Sequence, residues 1–121
     1  MRSTRLVLPL IGFAILAWQF ASAFTAPPAQ AQATVSDNMV DFDFDPAEIV
    51  VPAGTTVVWT NLGPTPHTVA GTSGVGPGAA VLWTSPIMMT GDTYSFTFSA
   101  PGTYPIICTL HPDMVGTIIV Q

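Results

Sequence analysis

Cys108, His111 and Met114 stand three residues apart from one another, and His67 lies far upstream in a Pro-His pair. These are the only cysteine and both histidines of the chain. Three residues span at most ~10 Å even when extended, so a tight loop can bring thiol, imidazole and thioether to one point. A soft thiolate, two imidazoles and a weak thioether form the donor set of a trigonal copper site with a long axial methionine. Zinc more usually takes a second cysteine, a carboxylate or an open water position. Taken singly, each residue has a plainer explanation: a buried thiol, two polar loop residues and an apolar methionine. Taken together they point to copper, because an exported chain rarely keeps a lone reduced thiol without a use for it.

Other chemistries fall away. The chain has no G-x-S-x-G elbow and no serine with a His and an Asp in a familiar catalytic arrangement. The glycine-rich stretch from Gly71 to Gly78 has no lysine or helix after it to cradle a phosphate and reads as a flexible loop. Asp41, Asp43 and Asp45 alternate with Val40, Phe42 and Phe44, which marks them as the solvated face of a half-buried strand rather than a carboxylate site. Met88 and Met89 read as core or rim packing residues rather than ligands.

The elements that must position the four donors are strands throughout. Ile49 to Val51 is a β-branched run ending at Pro52-Ala53-Gly54, and Thr55 to Thr60 ends at Asn61-Leu62-Gly63-Pro64. Tyr94, Phe96 and Phe98 alternate with small polar residues before the Pro101-Gly102 turn. Tyr104, Ile106 and Cys108 share one parity, so the thiol faces the core. Thr117 to Val120 forms the last strand. Short strands at this spacing predict an all-β sandwich or barrel over residues 34–121.

Residues 1–33 read as an export signal peptide with a spacer. Arg2 and Arg5 precede an apolar run from Leu6 to Phe20, and small-residue cleavage patterns follow at Ala21-Ser22-Ala23, Ala29-Gln30-Ala31 and Ala31-Gln32-Ala33. The alternative is an uncleaved membrane anchor, since the run to Phe24 approaches the ~18–20 residues that span a bilayer. Either way the folded domain is exported, to the periplasm or the outer face of the cytoplasmic membrane. Those two arginines are the only basic residues, against seven acids further along, and this excludes nucleic acid as a partner.

Beyond its ligand pattern the domain carries Phe44-Asp45-Pro46-Ala47-Glu48-Ile49, Gly54 to Asn61, Pro66-His67-Thr68-Val69 and Pro101-Gly102-Thr103-Tyr104 leading into the Cys108 loop. With these it resembles the blue copper proteins, the cupredoxins, of the plastocyanin and amicyanin type, over nearly the whole exported domain. The resemblance implies a Greek-key β-sandwich holding one type 1 copper ion and shuttling single electrons between redox proteins by Cu(II)/Cu(I) cycling. It implies a monomer and a carrier, not an enzyme. An extracytoplasmic copper-delivery protein of the same fold is the alternative. By position, His67, Cys108 and His111 would be equatorial ligands and Met114 axial, with the Thr68 amide donating to the Cys108 sulfur. The His111 ring edge would be the electron port, ringed by Leu62, Pro64, Pro66 and Pro112. The overall acidity favours partners with a basic docking patch.

Two positions depart from the family. Thr68 stands where Asn is common as a bridge between the ligand loops. Leu110 stands where amicyanin and plastocyanin have Pro, and its free N–H is expected to donate a second hydrogen bond to the Cys108 thiolate and raise the potential.

Overall fold

A computed structural model describes residues 22–27 and 31–121. The apolar segment expected to direct export lies outside them, and among the described residues no helix is long and apolar enough to cross a membrane. Nine strands are present: β1 (Thr34–Val40), β2 (Asp43–Asp45), β3 (Glu48–Val51), β4 (Thr55–Asn61), β5 (Ala70–Thr72), β6 (Val81–Thr84), β7 (Thr93–Phe98), β8 (Gly102–Cys108) and β9 (His111–Val120). They form two sheets, ordered β2-β1-β4-β7 and β3-β9-β8-β5-β6. The result is the expected all-β, Greek-key sandwich, with β1 parallel to β4 and β3 parallel to β9.

Alternation drives the packing. On β4 every second residue from Thr55 to Asn61 is buried, which puts Val57 and Trp59 fully inside. The neighbouring β7 adds Phe98 and the facing sheet contributes Ile106, Cys108 and Ile118, so the thiol lies on the core side, as its parity predicts. Each large apolar side chain buried in this way stabilises the fold by about 1.5–3 kcal/mol. Trp83 on β6 stacks on Phe96 of β7, with ring centroids 4.2 Å apart, and so closes one flank between the sheets.

Two expectations are corrected. The alternation from Val40 to Asp45 is not one strand. The chain reverses at Asp41-Phe42, with Val40 opposite Asp43 and Met39 opposite Phe44. Cross-strand partners share a face, so the reversal buries Met39 and Phe44 together and throws Phe42 outward at 53% exposure. The glycine-rich segment likewise begins as strand β5, not loop. Gly71 is needed there, since a Cβ would come within 2.3 Å of Trp83 Nε1.

Candidate metal centre

One end of the sandwich gathers the donors. Cys108 closes β8 and His111 opens β9, and the two pair across a two-residue turn made by Thr109 and Leu110. Met114 follows on β9 and is 1% exposed. His67 comes from the segment between β4 and β5. Its backbone exchanges two hydrogen bonds with Met88, of 3.1 and 2.8 Å, which pins the ligand segment from outside the sheets. Buried Asn61 braces the same segment: its amide donates to the carbonyls of Thr65 and Met88, both at 2.9 Å, and its oxygen accepts from Gly63 N–H. Met88 is therefore a buried packing residue and Met89 an exposed one, as expected.

The Cys108 sulfur lies 3.7 Å from His67 Nδ1 and 3.6 Å from His111 Nδ1. The three candidate ligand atoms all fall within 4.8 Å of one another. A divalent ion takes imidazole nitrogen and thiolate at about 2.0–2.3 Å, and a trigonal arrangement then separates sulfur from nitrogen by roughly 3.7 Å. The observed S···N edges fit an ion at the centre of this triangle. Cys108 and His67 have no solvent exposure, whereas His111 is partly exposed.

The sulfur also receives the Thr68 N–H at 3.3 Å. The Thr68 hydroxyl accepts the Thr109 N–H and meets the Thr109 hydroxyl, both at 2.8 Å. Threonine thus bridges the two ligand segments where the family often uses asparagine. The bond expected from Leu110 is not formed. Among the described residues, Thr68 is the only one whose backbone N–H reaches the sulfur in hydrogen-bonding geometry. Leu110 sits at the exposed second position of the turn, where its side chain is 44% exposed.

Two residues at the site lay beyond the sequence reading. Asp41 does not belong to a solvated strand face: its Oδ1 lies 2.8 Å from His67 Nε2, and its Oδ2 accepts from the Thr65 hydroxyl. The Thr65 hydroxyl, followed by the His67 ring, holds the Asp41 carboxyl below the usual aspartate range. Phe42 packs edge-on against both imidazoles, with centroids 4.8 Å from His111 and 6.0 Å from His67. With Leu110 and Pro112 it lines a shallow depression beside His111, rimmed by Asp113. Leu62 and Pro64 are exposed, as an uncharged surface requires, while Pro66 is half-buried. No local signal separates Asp41 from Asp43 and Asp45; only the β1–β2 reversal does.

A β-sandwich that gathers one buried cysteine sulfur and two imidazoles at one end, with a buried methionine beside them in sequence, has the make-up of a mononuclear metal centre. The chain matches the family described as cupredoxin-like domain over residues 12–120. It is 34% identical to amicyanin-alpha of Methylorubrum extorquens over 121 residues, covering all of both chains. Among solved structures it resembles a purple cupredoxin from Nitrosopumilus maritimus, with TM-score 0.65, 28% identity, and coverage of 72% of this chain and 99% of that one. It also resembles a copper-containing nitrite reductase from Thermus scotoductus, with TM-score 0.62 and 32% identity, over 79% of this chain but 24% of that one. The chain belongs to the cupredoxin-like family. It is a type 1 copper protein for single-electron transfer, and His67, Cys108 and His111 lie close enough together to hold one metal ion.

Proposed function

We propose that His67 and His111 hold the copper through Nδ1 and Cys108 through Sγ, with Met114 as the fourth, weaker donor, in an exported carrier that performs no catalysis of its own. The bound copper supplies a one-electron Cu(II)/Cu(I) couple. The observation that carries the assignment is the pair of S···N distances, 3.7 and 3.6 Å, around a sulfur that no solvent reaches.

The chain's contribution is to hold the donors in place. The Thr68–Thr109 bridge, the Asn61 brace and the Met88 backbone pair fix them from three sides. A frame set this firmly suits both oxidation states without rearrangement. A delivery protein would need open, exchangeable donors, and the burial of Cys108 and His67 does not favour that reading. The partly exposed His111, beside Phe42, Leu110 and Pro112, offers the route to a redox partner through a small apolar contact that dissociates readily. From Asp37 onward there are seven acids and no lysine or arginine, so partners with a basic patch are steered to it, and association slows as salt rises above about 0.1 M. Residues 1–33 serve as a signal peptide or anchor that places the domain outside the cytoplasm.

An absorption spectrum of the copper-loaded protein tests the assignment. An intense visible thiolate-to-copper band is expected; it vanishes in Cys108→Ala, changes in Met114→Leu, and persists in Met88→Leu and Met89→Leu. If a change at Met88 or Met89 removes the band while Met114→Leu leaves it untouched, the axial assignment is wrong.

A further inference from the structure

The reversal between β1 and β2 places Asp41 against the buried side of the metal centre. A neutral imidazole carries one N–H, and the other ring nitrogen is an acceptor. An ionised carboxylate can only accept, so the nitrogen that faces it must bear the hydrogen. His67 Nε2 faces Asp41 Oδ1 at 2.8 Å, and its Nδ1 faces the Cys108 sulfur. We infer that Asp41 is a positioning residue of the metal centre: it receives the Nε2–H of His67, fixes the ring in that tautomer, and keeps Nδ1 bare and aimed at the ion.

Three features make this a built contact. The second Asp41 oxygen is held by the Thr65 hydroxyl, on the segment that carries His67. Gly63 leaves the room the carboxylate needs, since a Cβ there would come within 2.4 Å of Oδ1. Phe42, the next residue, stands edge-on to the His67 ring and limits its tilt. The other imidazole has no such anchor: among the described residues the His111 ring makes no hydrogen bond to a carboxylate or carbonyl. One ligand ring is hydrogen-bonded from behind, whereas its partner is held by the hairpin and by packing against Phe42.

The inference rests on His67 being a copper ligand. Partners of this kind behind a ligating histidine commonly contribute 10–100-fold to metal affinity. Asp41→Ala is therefore expected to weaken copper binding by about that factor and to raise the reduction potential, because a negative charge favouring the more positive ion is lost. Asp41→Asn retains an acceptor of the same shape, so it should recover most of the affinity while the potential stays raised. The metal-free protein gives a readout independent of copper: long-range ¹H–¹⁵N correlations of the His67 ring should show the Nε2–H tautomer alone in wild type and a mixture in Asp41→Ala. If Asp41→Ala does not fold, Asp41→Asn still separates charge from shape through the potential. Wild-type affinity, potential and tautomer in these variants would overturn the inference while the thiolate band remained intact. Absence of that band in wild type would overturn the ligand assignment instead.

Discussion

Asp37 and Asp41 lie four residues apart, one inside β1 and one at its exit, and the fold treats them in opposite ways. Asp41 is matched on both oxygens, by His67 and Thr65, and its carboxyl is held low. Asp37 is 1% exposed in the core beside Trp59, its cross-strand neighbour on β4. It accepts the Asn38 N–H at 2.8 Å, but among the described residues its second oxygen has no hydrogen-bond partner, and neither does Trp59 Nε1. Burial pushes its carboxyl up to about 6; the Asn38 amide and the nearby indole offset part of the rise, and Asp45 adds to it. A buried carboxylate left short of donors is thus costly, whereas Asp41, exposed at the surface, is matched on both oxygens and serves the site.

The largest expected effect tests the costly member. A folded-state value raised above the unfolded one is a penalty fully present above about pH 6 and relieved as pH falls toward the unfolded value of 3.8. Asp37→Asn should therefore stabilise the metal-free protein by about 2–3 kcal/mol at pH 7.5. The gain should shrink toward pH 4, while the copper spectrum of the loaded protein stays as in wild type. Urea melts of both proteins at the two pH values check this, and an equal gain at both would remove the contrast with Asp41.

Glycines beside each region sharpen the contrast further. Gly63→Ala crowds Asp41 Oδ1, and Gly71→Ala crowds Trp83, each with a destabilisation of about 1–3 kcal/mol. Only Gly63→Ala should shift the reduction potential, in the direction of Asp41→Ala; voltammetry of the two loaded variants decides. A smaller effect belongs to Thr68→Val, which leaves the Thr109 N–H without its acceptor at a cost of about 1 kcal/mol, read from thermal melts. The smallest is Leu110→Pro. With the sulfur's backbone donor supplied by Thr68, this exchange should leave the midpoint potential near that of wild type.

The donor set was legible because its residue types are rare here and closely spaced. Cys108, His111 and Met114 lie on one hairpin, where sequence distance and spatial distance nearly coincide. The inward parity of Cys108 and the β-sandwich followed from alternation for the same local reason. Asp41 was hidden because a period of two runs unbroken through a tight reversal, so the pattern that marks Phe44 as core also disguises the turn. Leu110 was misjudged because a free N–H is a property of residue type, whereas its direction is set by the position in the turn. Asp37 gave no warning either, since only its folded surroundings show that nothing among the described residues completes its hydrogen bonding.

His67 and Cys108 are separated by 41 residues along the chain. An ion held by both is a staple across that loop, and a cross-link of this span lowers the entropy of the unfolded chain by an amount equivalent to about 4 kcal/mol. The bonds that would hold the ion would therefore also stabilise the whole sandwich against unfolding, and a chain without the ion would unfold more readily from end to end.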